Sequence, residues 1–150
     1  MNRILSVPVL VCALVFAGCD YDVPITEAPT RRVEPRLLAT WTPLVAGRES
    51  EKLRIQRIDD SRYVIFYEGD VYVAHHSDIA GTPLASVRTC GRYLYFAWEL
   101  SGDGRRLTVR QINSRVVPTE TRDSAAVVRL IEANRANPYL LDDGFEYSRD

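Results

Sequence analysis

From Arg92 to Leu100 the chain alternates with a period of two: Leu94, Phe96, Trp98 and Leu100 on one side, Tyr93, Tyr95, Ala97 and Glu99 on the other. Successive side chains of a strand point to opposite faces, whereas a helix would wind both sets around its axis, so the stretch is read as extended β structure. The same period recurs upstream. Leu53 and Ile55 alternate with Lys52, Arg54 and Gln56; Tyr63, Ile65 and Tyr67 oppose Val64 and Phe66; Val71 and Val73 oppose Tyr72 and Ala74. Turn formers separate these runs at intervals of about ten residues, at Asp59-Asp60-Ser61, Glu68-Gly69-Asp70, Ala80-Gly81-Thr82-Pro83, Gly91 and Ser101–Gly104, the punctuation of an antiparallel meander. The clearest hairpin joins Arg92–Leu100 to Arg106–Ile112. The expected fold is mainly β, an antiparallel meander forming a small barrel or strongly curved sheet, with one C-terminal helix and a final short strand. Asp123 or Ser124 caps the helix, Val127, Val128, Leu130 and Ile131 share one of its sides, and Pro138 stops it. It is expected over an opening or edge of the sheet, with Gly144–Tyr147 returning as the last strand. The set containing Leu94, Phe96 and Trp98 belongs in the core.

Ahead of this lies a different kind of segment. Arg3 supplies one positive charge, Ile4–Ala17 is apolar apart from Ser6 and Pro8, and Gly18-Cys19 follows, the three regions of a secretory signal. Phe16-Ala17-Gly18-Cys19 resembles a lipobox, with Phe16 where Leu is usual. The resemblance implies that residues 1–18 are a lipoprotein signal peptide, that Cys19 carries lipid, and that the mature chain is held at a membrane of the bacterial cell envelope. With about 0.8 kcal/mol for each buried methylene, two or three acyl chains make such attachment effectively permanent. Asp20 directly after the cysteine resembles an inner-membrane retention signal, which favours the periplasmic face of the inner membrane over the outer membrane. Residues 20–36 hold Pro24, Pro29 and Pro35 with few apolar residues, and are read as a flexible tether able to span roughly 55 Å when extended. Residues 37–150 then form a single β-rich domain.

Composition removes several function classes. Without Arg3 the chain has 18 basic and 20 acidic residues, and both signs are scattered along it, so a nucleic-acid partner is not expected. With Cys12 in the signal and Cys19 acylated, Cys90 is the one remaining thiol; no internal disulfide can form, and burial is its expected state. No cofactor or metal is expected. His75 and His76 are neighbours on a strand and point to opposite faces, so they cannot readily chelate one ion. No Gly-x-Ser-x-Gly or Ser-x-x-Lys occurs, and the adjacent acids at Asp59-Asp60 and Asp142-Asp143 are read as solvated turn formers.

Leu38-Ala39-Thr40-Trp41 resembles the Gly-x-Trp opening of the first strand in lipocalins and related calycin barrels, with Ala39 in place of the glycine. The resemblance implies a Trp that closes one barrel end and a late helix before a final strand, and so favours a barrel or strongly curved sheet; a small apolar ligand or lipid as cargo is kept as the alternative function and is not transferred from it.

Two groups of side chains carry the candidate chemistry. Tyr63, Tyr67, Tyr72, Tyr93 and Tyr95 fall on expected strands, where they line a cavity, form a contact surface or flank the core; tyrosine suits a position with one apolar and one wet side. His75-His76-Ser77-Asp78, expected at a strand end beside a Ser77–Pro83 loop, offers two imidazoles with a carboxylate near enough to orient one of them. Three functional classes follow. The favoured one is a non-enzymatic, lipid-anchored interaction or accessory module that binds an envelope protein through a Tyr/Arg surface including the five tyrosines, His75 and His76. The second is a lipocalin-like carrier, which needs an apolar cavity of several hundred cubic ångströms. The third is a hydrolase using His75 or His76 with Asp78, although the chain is not expected to be an enzyme.

Overall fold

The computed structural model describes residues 20–150; the signal-like segment and Cys19 lie outside them. Eight antiparallel strands follow one another around a closed barrel: β1 (Thr40–Pro43), β2 (Leu53–Arg57), β3 (Arg62–Tyr67), β4 (Asp70–Ile79), β5 (Thr82–Thr89), β6 (Arg92–Leu100), β7 (Arg106–Gln111) and β8 (Phe145–Arg149), with β8 returning to β1. Helix α1 (Ser124–Ala133) sits between β7 and β8. A mainly β meander with one late helix and a last short strand is what the alternation and turn spacing predict, and its closure is compatible with a lipocalin-like barrel. No helix among the described residues is long and apolar enough to cross a membrane.

The three central hairpins use one device. Glu68-Gly69, Ala80-Gly81 and Cys90-Gly91 are two-residue loops in which both residues have positive φ, the geometry whose twist matches the flanking strands. Glycine in the second place removes half of the strain that a side chain would meet there. This device also moves an expected boundary. The tight turn at Ala80-Gly81 lets β4 run through Ile79 and β5 begin at Thr82, so Ser77–Pro83 is a strand pair and its turn rather than a loop. Pro83 is tolerated because pairing of β5 with β6 starts only at Leu84.

Residue parity sorts the apolar side chains into two cores. Inside the barrel, Trp41, Ile55, Tyr63, Ala74, Val87, Leu107 and Tyr147 are buried, with Leu94, Phe96, Trp98 and Leu100 packed against them. The face expected to be core is therefore the inner face of β6. The opposite face is buried as well: Tyr95 and Ala97 join Ile79, Leu84 and Ile112 on the outer wall, beneath α1 and the N-terminal segment. Helix α1 is capped by Asp123, whose carboxylate accepts from the amides of Ala125 and Ala126, and it buries Val127 and Ile131 against that wall. It covers the side of a closed barrel, not an opening or edge as its position after the strands suggested, because the closed sheet leaves no edge to cover.

Residues 20–36 overturn the tether expectation. Tyr21 and Ile25 are fully buried in the outer core. Tyr21 exchanges both backbone hydrogen bonds with Tyr93 at 2.8 Å, the Ile25 amide donates to Ser86 Oγ at 2.9 Å, and the Thr30 amide donates to the His76 carbonyl at 3.1 Å. From there the chain passes the β2–β3 turn and enters a 3-10 helix at Pro35–Leu37. The segment is a strap that crosses the outer wall from one rim of the barrel to the other. Proline does not loosen it, because the strap is held by its few apolar side chains and by hydrogen bonds to the barrel, two features that a count of apolar residues does not weigh.

Candidate functional site

The five tyrosines do not share a surface. Tyr63, Tyr67 and Tyr72 fall on the inner set of β3 and β4, while Tyr93 and Tyr95 fall on the outer set of β6. Tyr63 is buried at the end of the barrel closed by the 3-10 helix, its hydroxyl accepting the Glu34 amide at 2.7 Å. Tyr67 and Tyr72 are half-buried toward the other end, with hydroxyls 3.4 Å from a Glu51 carboxylate oxygen and 3.5 Å from one of Asp70. Burial, reinforced by nearby carboxylates, raises both phenols above their ordinary pKa. Tyr95 stacks on Tyr21 with ring centroids 3.8 Å apart and donates to the Val23 carbonyl at 2.5 Å; Tyr93 pairs with the strap. The outer two therefore hold the strap in place, and an exposed Tyr/Arg surface of the expected composition is not assembled.

The histidine group is divided the same way. His75 and Ser77 face outward to the strap, where His75 Nε2 meets the Thr26 carbonyl oxygen at 3.0 Å and Ser77 Oγ lies 2.5 Å from Thr26 Oγ1. His76 and Asp78 fall on the inner set, opposite Ala85 and Pro83. His76 is 1% exposed and makes an edge contact with Trp98 at 5.0 Å between centroids. Neither of its ring nitrogens has a hydrogen-bond partner, nor has Asp78 Oδ1, while Asp78 Oδ2 pairs with Arg31 at 3.1 Å. The strand-end position expected for both histidines is thus corrected, since β4 continues past them; His75 is partly exposed as expected, beside the strap, whereas His76 is buried inside the barrel. Parity therefore places Asp78 on the same face as His76 and separates it from His75 and Ser77. Among the described residues, no group of three or more His, Cys, Asp or Glu side chains is placed to hold a metal ion.

Burial pushes the His76 imidazole down from 6.5 to about 4, with Arg31 adding to the effect. The unfolded chain therefore binds a proton that the folded chain refuses between those values. Stability is complete above about pH 6.5 and falls as the pH drops toward 4, by about 3 kcal/mol for this group alone. His75 is shifted in the same direction by burial. Replacement of His76 by Leu removes an unpartnered buried polar group and should flatten the pH dependence between 4.5 and 7. Urea midpoints measured at the two ends of that range check it, and equal slopes for the two proteins would show that His76 is not the group responsible.

Cys90, expected to be buried, is exposed in the β5–β6 turn. The barrel interior holds the inner core, and two hollows among the described residues are small. One, between α1 and the outer wall, holds about 80 Å³ and is lined by Ile79, Leu84, Ile112, Ile131, Arg135 and Leu140. A second, at the rim, holds about 10 Å³ beside Val45, Tyr67, Phe145 and Tyr147. Ligand sites for small molecules commonly need about 300 Å³ or more.

The feature that the candidate residues do not include is an apolar strip on the outer wall of β3 and β4. Val64 opposes Val73 and Phe66 opposes Val71, Val71 is 61% exposed, and the Arg54 guanidinium lies 4.2 Å over the Phe66 ring. Its signal was in the sequence: β3 is apolar on both faces, so one face has to find cover outside the barrel core or remain in water. No protein-family model, curated protein or solved structure matches the chain.

Proposed function

We propose that the chain is a lipid-anchored barrel of the bacterial cell envelope that acts as a non-enzymatic interaction module. The observation that carries this reading is the filled interior: Trp41, Tyr63, Phe96 and Trp98 belong to one inner core, so the chemistry available to a partner lies on the outside. The strip of Val64, Phe66, Val71 and Val73 with Arg54 stacked over Phe66 is the surface best suited to a protein partner. Aromatic and arginine side chains are enriched at interface centres, and an apolar strip left in water is a recurrent mark of contact sites. A carrier needs space where the barrel keeps its own side chains. The anchor is supported by the resemblance of Phe16–Cys19 to a lipobox.

A photoreactive phenylalanine analogue at Phe66 in the full-length chain should give a discrete crosslinked product in the native membrane, and Val71→Asp should abolish it. A folded, membrane-bound chain that yields no product from position 66 would overturn the interaction reading. Anchoring is tested separately. Cys19→Ala should release the protein from the membrane fraction, and persistence there after a carbonate wash would count against acylation at Cys19.

A further inference from the structure

We infer that the barrel stands end-on against the lipid bilayer, with the rim at the β1–β2, β3–β4 and β5–β6 turns facing the headgroups and the end closed by Trp41 facing away. The inference rests on the reading that Cys19 carries the acyl chains. What the structure adds is the absence of slack. Asp20 follows Cys19 directly, and its carbonyl accepts from Arg92 Nη2 at 2.8 Å. Tyr21 is already paired with Tyr93 in β6, and Asp22 is held by Arg92 at 3.2 Å and by Arg122. Between an acylated cysteine and the first clamped carbonyl there is about one residue, or roughly 3.5 Å of chain. A barrel so held cannot rise clear of the headgroups, and the part brought down is the rim beside the β5–β6 turn.

That rim is built for contact. Leu44 (46% exposed), Val45 (45%) and Phe145 (50%) stand around it, from the β1–β2 loop and the start of β8, whereas the β2–β3 turn at the opposite end exposes Ile58. The charges between the rim side chains are mainly acidic. Arg48 is paired with Glu51, Lys52 with Asp150, and Arg92 and Arg122 with Asp22, whereas Glu68 lies in the β3–β4 turn with Asp70 after it, Glu49 lies in the β1–β2 loop, and Asp142 follows the backbone pairing with Gln111 at the end of β7. Apolar side chains set among carboxylates match a zwitterionic surface, whose ammonium groups lie outermost, and are repelled by an anionic one. The occupant of this rim is therefore a bilayer rich in zwitterionic headgroups.

The exposed thiol at the β5–β6 turn makes the test direct. The full-length acylated chain is reconstituted in phosphatidylethanolamine/phosphatidylcholine vesicles carrying a headgroup-depth quencher and labelled at Cys90 with an environment-sensitive fluorophore. A second chain, Cys90→Ser with Ile58→Cys, carries the label at the far end. Quenching at 90 should exceed that at 58 several-fold, and it should fall when anionic lipid is mixed in or when Phe145→Glu is introduced. Equal quenching at the two positions in an acylated, vesicle-bound chain would overturn the end-on orientation while leaving the anchor intact. Insensitivity to both anionic lipid and Phe145→Glu would overturn the assignment of the rim as a headgroup-contacting surface. A chain without the acyl mass that fails to float with vesicles would remove the anchor, and the orientation with it.

Discussion

Removal of residues 20–32 should unfold the barrel or lower its stability by more than any single substitution, although by composition these residues read as a dispensable tether. Tyr21 and Ile25 are fully buried and close the outer core over Leu84 and Tyr95. The strap also supplies partners to Ser86 Oγ, His75 Nε2 and the Tyr95 hydroxyl. Its loss exposes apolar surface and uncovers polar groups at the same time. Ile25→Ala alone should cost about 2–5 kcal/mol, the usual range for truncating a buried isoleucine, against a total of about 5–15 kcal/mol for a domain of this kind. Glu27→Ala, at an exposed position of the same strap, should change stability by less than about 0.5 kcal/mol. Urea titration of residues 20–150, the truncated chain and the two variants separates the cases. An unchanged midpoint for the truncated chain would restore the tether.

The second large effect is expected at the opposite end of the strap. Trp41 is fully buried in the inner core and donates from Nε1 to the Leu37 carbonyl at 3.0 Å, so that it ties the first strand to the 3-10 helix that closes the barrel. Trp41→Ala should cost about 3–5 kcal/mol and should loosen the β1–β8 seam, where Trp41 pairs with Arg149. Trp98→Ala, at a half-buried position of the same interior, should cost less. Thermal unfolding followed by tryptophan fluorescence gives both values, and a larger loss from Trp98 would show that the closing contact is not at Trp41.

The strands were legible because their alternation is regular and their turns are marked by glycine. The inner set of β6, from Leu94 to Leu100, could be assigned to the core from parity alone. The second core was less accessible. The pattern leaves open whether the face with Tyr95 lines a cavity, forms a contact surface or flanks the core, since nothing in a strand's own pattern shows that a distant segment will cover its outer face. The strap was missed for the same reason, as Tyr21 and Ile25 are two isolated apolar residues among prolines and charges, and their partners lie some 60 to 70 positions downstream. His76 was correctly assigned to a strand and to the face opposite His75, while its burial depended on β4 extending past β3, which a tight turn at Ala80-Gly81 decides. The tyrosines were recognised as strand residues but grouped without regard to strand parity and pairing, which divides them between inside and outside.

The order of the strands has a consequence for how the chain comes to be folded. Strands β3 to β6 are joined by loops of two residues and can zip together locally, since short loops carry a small closure entropy. The seam is different: Thr42 pairs with Ser148 and Pro43 with Tyr147, so the ring cannot shut until Phe145–Arg149 has been delivered. The strap likewise waits for β6. A chain threaded N-terminus first through a narrow passage would emerge with its strap and β1 lacking their partners, and would stay open until nearly all of it had passed.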